Sequence, residues 1–360
     1  MDRGEAEAGE AVLVADARGA ALGTAHYSST SQISLRMLSD RPENIDRAFF
    51  LRRIGQAEAY RKRVVAGSEA YRLVHGEADQ LPGLVIDRYG DYFTIQTLDQ
   101  GMDRAKPDIL SCLGELFAPR GIVERNDVAV RKREALALES GVLAGHVPEM
   151  VAVEMNGLKL QADLLHGQKT GIFLDQRENY LAAARYARGR ALDCFTSTGG
   201  FALHLANRLE SVEAVDSSET ALRAARLNLD ANGIANVELR EADVFDLLVG
   251  YASARRRFDM VVLDPPAFAK ARQNMEAAVR GYREINRRAL ELLPTGGTLV
   301  TCSCSHHLSE AMLLEIVASA SLDTGKKLRV VERCMQSRDH PVLLTVPETH
   351  YLKCLILEVI

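Results

Sequence analysis

Residues 190–206 read RALDCFTSTGGFALHLA, and this stretch decides the fold of the second half of the chain. A short apolar run carries Asp193, small hydroxyl residues and the pair Gly199-Gly200 follow it, and an apolar helical pattern starts at Phe201. A strand, a glycine-containing turn and a helix form the first unit of a sheet whose ligand lies beyond the carboxyl ends of its strands. The turn is not G-x-G-x-x-G, which weakens a dinucleotide-binding interpretation.

Strands alternate with amphipathic helices from about residue 170 to the C-terminus. This alternation predicts an α/β fold with a mostly parallel, doubly wound sheet and helices on both faces. The candidate strands span 190–195, 212–216, 237–241, 258–264, 297–303, 328–334 and 351–360.

Two β-rich segments, residues 1–67 and 68–169, precede the α/β region. The first ends in a helical stretch between Arg47 and Arg63, in which Glu58 is the single acidic residue. The second alternates apolar strands with turns. Because a chain of 360 residues exceeds the size of most single cores, two or three domains are expected from length alone. The three segments predict boundaries near residues 67 and 169.

The composition excludes several classes of protein. A formal net charge of −5 argues against a uniformly basic nucleic-acid binder, but leaves room for a local basic face. No apolar run approaches the roughly 20 residues of a membrane span, and the acidic N-terminus is unlike a signal peptide. Six irregularly spaced cysteines do not form a disulfide framework. We therefore expect a soluble, cytoplasmic protein whose thiols are reduced.

Polar residues follow the second and third strands of the α/β region. Asp216 ends the second strand, where a carboxylate can accept hydrogen bonds from both hydroxyls of a ribose, and Ser217 follows it. Asp243, Val244 and Phe245 follow the third strand and could hold the amino group and the face of an adenine. Aspartate and serine are also ordinary turn residues, so only their succession at strand ends favours a nucleotide-like ligand.

The fourth and fifth strands end in residues suited to chemistry. Asp264 is followed by two prolines, which stiffen the loop and leave it rich in acceptors, as a site for a planar polar substrate would need. The segment TCSCSHHL, residues 301–308, places Cys302 and Cys304 one residue apart. This pair is a metal-site fragment, a coincidence of burial or a nucleophile.

Longer motifs resemble one family of class I S-adenosylmethionine-dependent methyltransferases, the bacterial and archaeal 23S ribosomal RNA cytosine-C5 methyltransferases of the large-subunit type. The resemblance covers nearly the whole chain. It implies a PUA-like RNA-binding domain at residues 1–67, a β-rich middle domain at 68–169 and a seven-stranded, Rossmann-like methyltransferase domain at 170–360. The motifs are RLVHGEADQLPGLVIDRYGDY, DLLHGQKTGIFLDQREN, DCFTSTGGFALHLA, VVLDPPAFAK, RGYREINRRAL and TCSCS.

The resemblance also implies roles for individual residues around S-adenosylmethionine. The methionine end would lie at the glycine-rich turn, the ribose at the second strand, the adenine at the third, and a lid from the GIFLDQR motif beside them. The implied cofactor-binding residues are Phe173, Asp175, Gln176, Arg177, Asp193, Phe195, Thr196, Gly199, Gly200, Asp216, Ser217, Asp243, Val244, Phe245 and Asp264.

Cys304 falls on the nucleophile of that family, and Cys302 on a position that is usually apolar. The implied reaction adds the Cys304 thiolate to C6 of a cytosine that has left its stack, so that C5 can attack the methyl group. Asp264 would bind the N3 and N4 edge of the base. The base that removes the C5 proton is not assigned, because the DPPAF loop holds no second cysteine.

The implied partner is 23S rRNA or a large-subunit precursor, with no membrane and no metal, and homodimer formation stays open. Members of the family begin with a basic and aromatic strand, whereas this chain starts with MDRGEAEAGE and contains no Trp. We therefore expect the PUA-like domain to lack its first strand, which leaves RNA binding by residues 1–67 open.

Three alternatives compete with cytosine-C5 methylation. Cys302, Cys304 and His306 would share one face of an extended strand, as in a partial metal site. A DPP motif followed by an aromatic residue also occurs in enzymes that methylate nitrogen, here guanine in rRNA, although Phe268 comes one residue late. A non-catalytic RNA-binding ribosome-assembly factor is the third.

Overall fold

The computed structural model describes residues 6–268 and 275–360. The chain divides into two compact units. The first consists of the residues up to Gly157, together with 162–174 and 338–349, and the second consists of 158–161, 175–337 and 350–360. The domain boundaries expected near residues 67 and 169 stay predictions. Within the described ranges, no helix is both long enough and apolar enough to cross a membrane.

The first unit begins with a three-stranded antiparallel sheet and a long helix. The strands are β1 (Ala11–Ala15), β2 (Ala21–Tyr27) and β3 (Leu35–Ser39), and helix α1 spans Arg47–Val64. Asp46 caps α1 by accepting a hydrogen bond from a backbone N–H of the first turn. That this domain lacks a first strand stays a prediction.

The basic residues of α1 are largely paired inside this unit. Arg61 is fully buried and forms an ion pair with Asp79. Arg52 pairs with Glu43, and the guanidinium of Arg47 reaches Glu115 on a later helix. The local basic face that the sequence suggested is therefore partly neutralised by acidic groups far away in the chain.

A five-stranded sheet fills the rest of the first unit. Its strands are β4 (Ala70–His75), β5 (Leu84–Tyr89), β6 (Tyr92–Thr97), β7 (Gly121–Arg125) and β8 (Ser140–Gly145), in that spatial order. Helices α2 (Gln100–Arg104) and α3 (Lys106–Phe117) connect β6 to β7, which run parallel. A hairpin of β9 (Val151–Met155) and β10 (Leu158–Ala162) follows, and both residues of its Asn-Gly turn have positive φ.

The second unit contains a seven-stranded sheet, and all seven predicted strands are present. They are β11 (Arg190–Cys194), β12 (Ser211–Asp216), β13 (Val237–Glu241), β14 (Met260–Leu263), β15 (Thr298–Ser303), β16 (Leu328–Met335) and β17 (Lys353–Val359). The spatial order is β13-β12-β11-β14-β15-β17-β16. Only β17 runs antiparallel to its neighbours.

Helices separate these strands along the chain and cover the sheet. They are α4 (Arg177–Ala184), α5 (Gly200–Ala206), α6 (Glu219–Ala231), α7 (Val244–Ser253), α8 (Met275–Leu292) and α9 (Glu310–Thr324). Strand β14 has the sequence MVVL, and all four of its residues are buried, as expected for a central parallel strand covered on both faces. Because β11 to β15 are parallel, their carboxyl ends meet at one edge of the sheet.

Asn228 on α6 holds this edge in place. Its amide donates to the Thr198 carbonyl at 3.0 Å, and its carbonyl oxygen accepts from the Gln161 N–H at 2.8 Å. The Asn228 side chain is fully buried, whereas its partner residues Thr198 and Gln161 are half-buried.

We predict that Asn228→Ala lowers the free energy of unfolding by about 2–3 kcal/mol, because it removes two hydrogen bonds made by a fully buried side chain. Asn232→Ala is the matched control, since this half-buried amide on the same helix pairs with Lys159 and should cost about 1 kcal/mol or less. Urea unfolding of both variants measures the difference; equal losses would contradict the assignment.

Candidate cofactor-binding and catalytic site

The turn after β11 has an unusual backbone. Phe195 and Ser197 have φ values of 64° and 49°, and Gly199 has a φ of 85°. Positive φ is costly for a residue that carries a Cβ, so the turn is held in this shape by its surroundings. A Cβ at Gly200 would lie 2.3 Å from the Tyr180 hydroxyl, so only glycine fits there.

Asp193 lies beneath this turn and is fully buried. Its Oδ2 accepts hydrogen bonds from the Thr196 hydroxyl at 2.6 Å and from the Ala202 N–H at 3.0 Å. Its Oδ1 is buried without a partner among the described residues. Burial raises the pKa of the carboxyl to about 7, although the two hydrogen bonds act in the opposite direction.

Asp216 joins the first turn to the second. Its Oδ2 accepts from the Ser197 N–H and its Oδ1 from the Ser218 N–H, both at 2.9 Å. Ser218, rather than Ser217, caps α6, and Ser217 is exposed. The Ser197 hydroxyl oxygen is buried without a partner among the described residues, so an unsatisfied polar atom points to a ligand at this turn.

An aromatic row follows the third strand. Asp243 is exposed and caps α7 through the Asp246 N–H at 3.1 Å, and Val244 is buried beside it. Phe245 lies 6.5 Å from Phe195 between ring centroids. The row continues from Phe245 through Phe268 to Tyr282, with centroid distances of 5.9 and 4.7 Å. The sequence pattern did not single out Tyr282, which is fully buried on α8.

Asp264 and Cys304 follow neighbouring strands of the sheet. Strands β14 and β15 are parallel, with Leu263 opposite Thr301, so the chain brings both residues out at the same edge. The Asp264 N–H lies 3.4 Å from the Cys194 carbonyl. Cys304 is half-buried, whereas Cys302 is fully buried.

Cys302 lies in a row of three thiols across the sheet. Cys354 on β17 is opposite Cys302 on one side and opposite Cys334 on the other. Burial raises the pKa of the Cys302 thiol, which therefore stays protonated and packs in the core. Among residues 6–268 and 275–360, no cluster of three or more His, Cys, Asp or Glu side chains could hold a metal ion.

The sequence pattern did not single out Lys353, a polar residue at this edge. It lies opposite Ser303 in the β15–β17 register and is 2% exposed. Its Nζ donates to the Ser305 carbonyl at 2.7 Å and to the Tyr351 carbonyl at 2.8 Å. Burial lowers its pKa to about 8, and Cys304 acts in the opposite direction. In the sequence, the one feature that points to this residue is a single lysine inside the apolar strand YLKCLILEVI.

The residues of the predicted lid fall in both units. Asp175, Gln176 and Arg177 belong to the second unit and are buried. Asp175 accepts a hydrogen bond from the Tyr351 phenol at 2.8 Å, and the Gln176 side chain contacts Cys302. Phe173 belongs to the first unit, where the Lys169 ammonium lies 4.5 Å from its ring centroid, so its place beside the cofactor stays a prediction.

Known families match the sequence of this chain. The sequence pattern of the S-adenosylmethionine-dependent methyltransferases matches residues 124–357. The chain belongs to this family. A second pattern, that of a PUA-like domain, matches residues 1–40. These matches confirm the predicted fold class and the predicted cofactor.

Similar proteins support the same assignment. Two relatives are named Ribosomal RNA large subunit methyltransferase I. The relative from Tolumonas auensis is 42% identical and covers 99% of this chain and 92% of its own. The relative from Klebsiella pneumoniae is 41% identical and covers 97% and 90%.

Two solved structures show the same fold, each at 21% sequence identity and covering 98% of this chain and 92% of its own. A structure described as a SAM-dependent methyltransferase from Streptococcus mutans has a TM-score of 0.84. A methyltransferase complexed with SAH has a TM-score of 0.85.

The second unit has acceptors that fit S-adenosylmethionine, which carries an ammonium group and two ribose hydroxyls. The unpaired Oδ1 of Asp193 and the unpaired hydroxyl of Ser197 lie at the glycine-rich turn, where the methionine end was predicted. Asp216 has a carboxylate at the end of β12, where the ribose was predicted. We therefore propose that these three residues hold the cofactor.

We predict that S-adenosylhomocysteine binds about 10-fold more tightly at pH 8 than at pH 6. Asp193, with a pKa of about 7, is mostly protonated at pH 6 and ionised at pH 8, and only the carboxylate has the negative charge that pairs with the ligand ammonium. Isothermal titration calorimetry of the wild type and of Asp193→Asn measures this, and the variant should bind weakly at both pH values.

Asp259→Asn is the control for this measurement. Asp259 accepts a hydrogen bond from the Arg190 N–H at the amino end of β11, opposite the edge that holds the turn. Its variant should keep the wild-type affinity and pH dependence. A wild-type affinity that is constant from pH 6 to pH 8 would contradict the role of Asp193.

Proposed function

We propose that this methyltransferase methylates C5 of a cytosine in 23S ribosomal RNA, with Cys304 as the nucleophile. The observation that carries the proposal is the half-buried thiol of Cys304 at the carboxyl edge. Cys304 follows β15, the neighbour of the strand that leads into Asp264, and the carbonyl of the next residue, Ser305, accepts a hydrogen bond from the buried ammonium of Lys353. The names of the two relatives, at 42% and 41% identity, support rRNA of the large subunit as the substrate.

Cys304 supplies the activation that cytosine lacks. Its thiolate forms a bond to C6, and the electrons of the C5–C6 double bond make C5 nucleophilic. S-adenosylmethionine would supply a methyl group on a positively charged sulfur, and this sulfur would keep the electron pair of the broken S–C bond and leave as a neutral thioether. After C5 has taken this methyl group, loss of the C5 proton to a base restores the double bond and releases the Cys304 thiolate.

In this proposal Asp264 orients the base and stabilises its charge. Its side chain follows β14, and the buried Pro265 directly after it fixes the start of the loop. A carboxylate accepts a hydrogen bond from the N4 amino group of cytosine, and a protonated carboxyl donates to N3 as charge builds up on the ring. The same residue therefore favours cytosine over uracil, which has no amino group at this position.

The N-terminal domain supports an RNA substrate. Its match to a PUA-like domain covers residues 1–40, and the described strands of this segment form the β1–β2–β3 sheet. The target cytosine would have to leave its stack to reach the carboxyl edge of the seven-stranded sheet, because the reacting C6 is covered by neighbouring bases in a helix.

We predict that Cys304→Ala lowers the rate of tritiated methyl transfer to unmodified 23S rRNA by more than about 10³-fold, because the covalent route is lost. Binding of S-adenosylhomocysteine should not change. Cys302→Ala is the matched control: Cys302 lies in β15, two residues before Cys304, and its variant should retain most of the activity because its thiol only packs in the core.

Two outcomes would contradict this assignment. If Cys304→Ala keeps its activity, the cytosine-C5 route is wrong, and methylation of a guanine nitrogen, which needs no thiol, becomes the better explanation. If folded Cys302→Ala loses methyl transfer while Cys304→Ala keeps it, the two cysteines have been assigned in the wrong order.

A further inference from the structure

Lys353 contacts the backbone on both sides of Cys304. In the β15–β17 register it lies opposite Ser303, the residue before Cys304. Its ammonium donates to the carbonyl of Ser305, the residue after Cys304, at 2.7 Å. One buried side chain therefore fixes the short segment that presents the thiol.

The hydrogen bonds of Lys353 do not neutralise its charge. Both acceptors, the carbonyls of Ser305 and Tyr351, are uncharged, and no carboxylate in the described ranges forms an ion pair with it. A buried ammonium is costly unless a negative charge is present or forms beside it. The ionisable group whose charge acts on Lys353 is Cys304.

We propose that Lys353 is a positioning residue for the nucleophile: its ammonium fixes the Ser303–Ser305 segment and stabilises the thiolate of Cys304. This inference rests on the proposed function, in which Cys304 attacks the base. It adds a residue on the antiparallel strand β17 to a site otherwise built at the ends of parallel strands.

Tyr282 is a neighbouring group that adds no positive charge to this segment. Tyr282 on α8 lies on the same segment, accepting from the Ser303 hydroxyl at 2.9 Å, and burial raises its pKa, so the phenol stays neutral. Asp264 after β14 and Asp175 before α4 are acidic side chains, so they add no positive charge.

Two further groups add little positive charge. His306 is exposed and stacks on Tyr351 with ring centroids 5.4 Å apart, so water screens any charge that it carries. The amino end of helix α9 also gives the thiolate little support. This helix begins at Glu310, six residues after Cys304, whereas a helix dipole acts over about one turn, and Glu310 itself is acidic.

The proposal has a defined pH dependence. Lys353 is charged below pH about 8 and neutral above it. Its loss should therefore slow the reactions of Cys304 near neutral pH. At pH about 10 a thiol ionises without help, and the effect should disappear.

The test is alkylation of Cys304 by iodoacetamide, followed by mass spectrometry of its peptide, from pH 5.5 to pH 10 in the full-length protein. Lys353→Met and Lys353→Gln remove the charge, and the amide of glutamine can still donate to a carbonyl. Lys353→Arg keeps the charge. Circular dichroism checks that each variant is folded. If Lys353→Met does not fold, Lys353→Gln is the neutral variant to measure.

Lys326→Met is the matched control. Lys326 belongs to the same unit, is partly buried with a lowered pKa, and also donates to two backbone carbonyls, those of Leu290 and Leu293. It has no contact with the Cys304 segment among its hydrogen bonds. Its variant therefore reports what the loss of a carbonyl-bound lysine does to the unit in general.

We expect the neutral Lys353 variants to slow alkylation of Cys304 about 10-fold at pH 7, to shift the midpoint of the profile up by about one pH unit and to leave the rate at pH 10 unchanged. Lys353→Arg and Lys326→Met should resemble the wild type. An unchanged profile in a folded neutral variant, an equal slowing at every pH, or the same shift in Lys326→Met would each overturn the proposal.

Failure of this inference can be told apart from failure of the proposed function. Alkylation requires neither RNA nor methyl transfer, so a shifted profile supports the Lys353–Cys304 interaction even if Cys304→Ala still methylates rRNA. If Cys304→Ala is inactive but the profile does not shift, Cys304 is the nucleophile and Lys353 has no part in its ionisation.

Discussion

The parallel pairing of β11 with β14, and of β14 with β15, is the constraint on which the site depends. These pairings bring three strand ends to one edge and set the spacing between the turn after Asp193, the loop after Asp264 and the segment that carries Cys304. The strands are almost wholly buried because helices cover both faces of the sheet, so the polar groups that can reach a ligand collect where the strands end. The fold thus produces a polar edge whatever reaction the site carries out.

Burial at that edge gives ordinary side chains unusual properties. Asp193 and Lys353 are both removed from water, and burial moves their pKa values towards neutrality from opposite sides, to about 7 and about 8. Each lies beside a group of opposite charge in the proposed reaction, the ammonium of the cofactor for Asp193 and the thiolate of Cys304 for Lys353. In the proposed reaction, cofactor binding and nucleophile activation both depend on a buried side chain whose pKa is shifted towards neutrality.

The sequence predicts the local elements well, because the residue patterns typical of strands, turns and helix ends are only a few residues long. The seven strands and the Gly199-Gly200 turn follow from residues close together in the chain. Long-range pairings do not follow from such local patterns. Nothing local predicts that β17 runs back beside β15 and brings Lys353 opposite Ser303, or that Arg61 in the basic helix is neutralised by Asp79. The resemblance to a known family named Cys304 and Asp264, but the electrostatics around them depends on these pairings.

The most direct test of the central claim is a search for the covalent link between Cys304 and cytosine. In rRNA that contains 5-fluorocytidine, C5 carries fluorine in place of hydrogen, so no proton can leave after methyl transfer and the adduct cannot break down. With S-adenosylmethionine present, the wild type should form a denaturant-resistant protein–RNA complex whose crosslinked peptide contains Cys304, and Cys304→Ala should form none. An active wild type that forms no such complex, or one linked through another residue, would contradict the account.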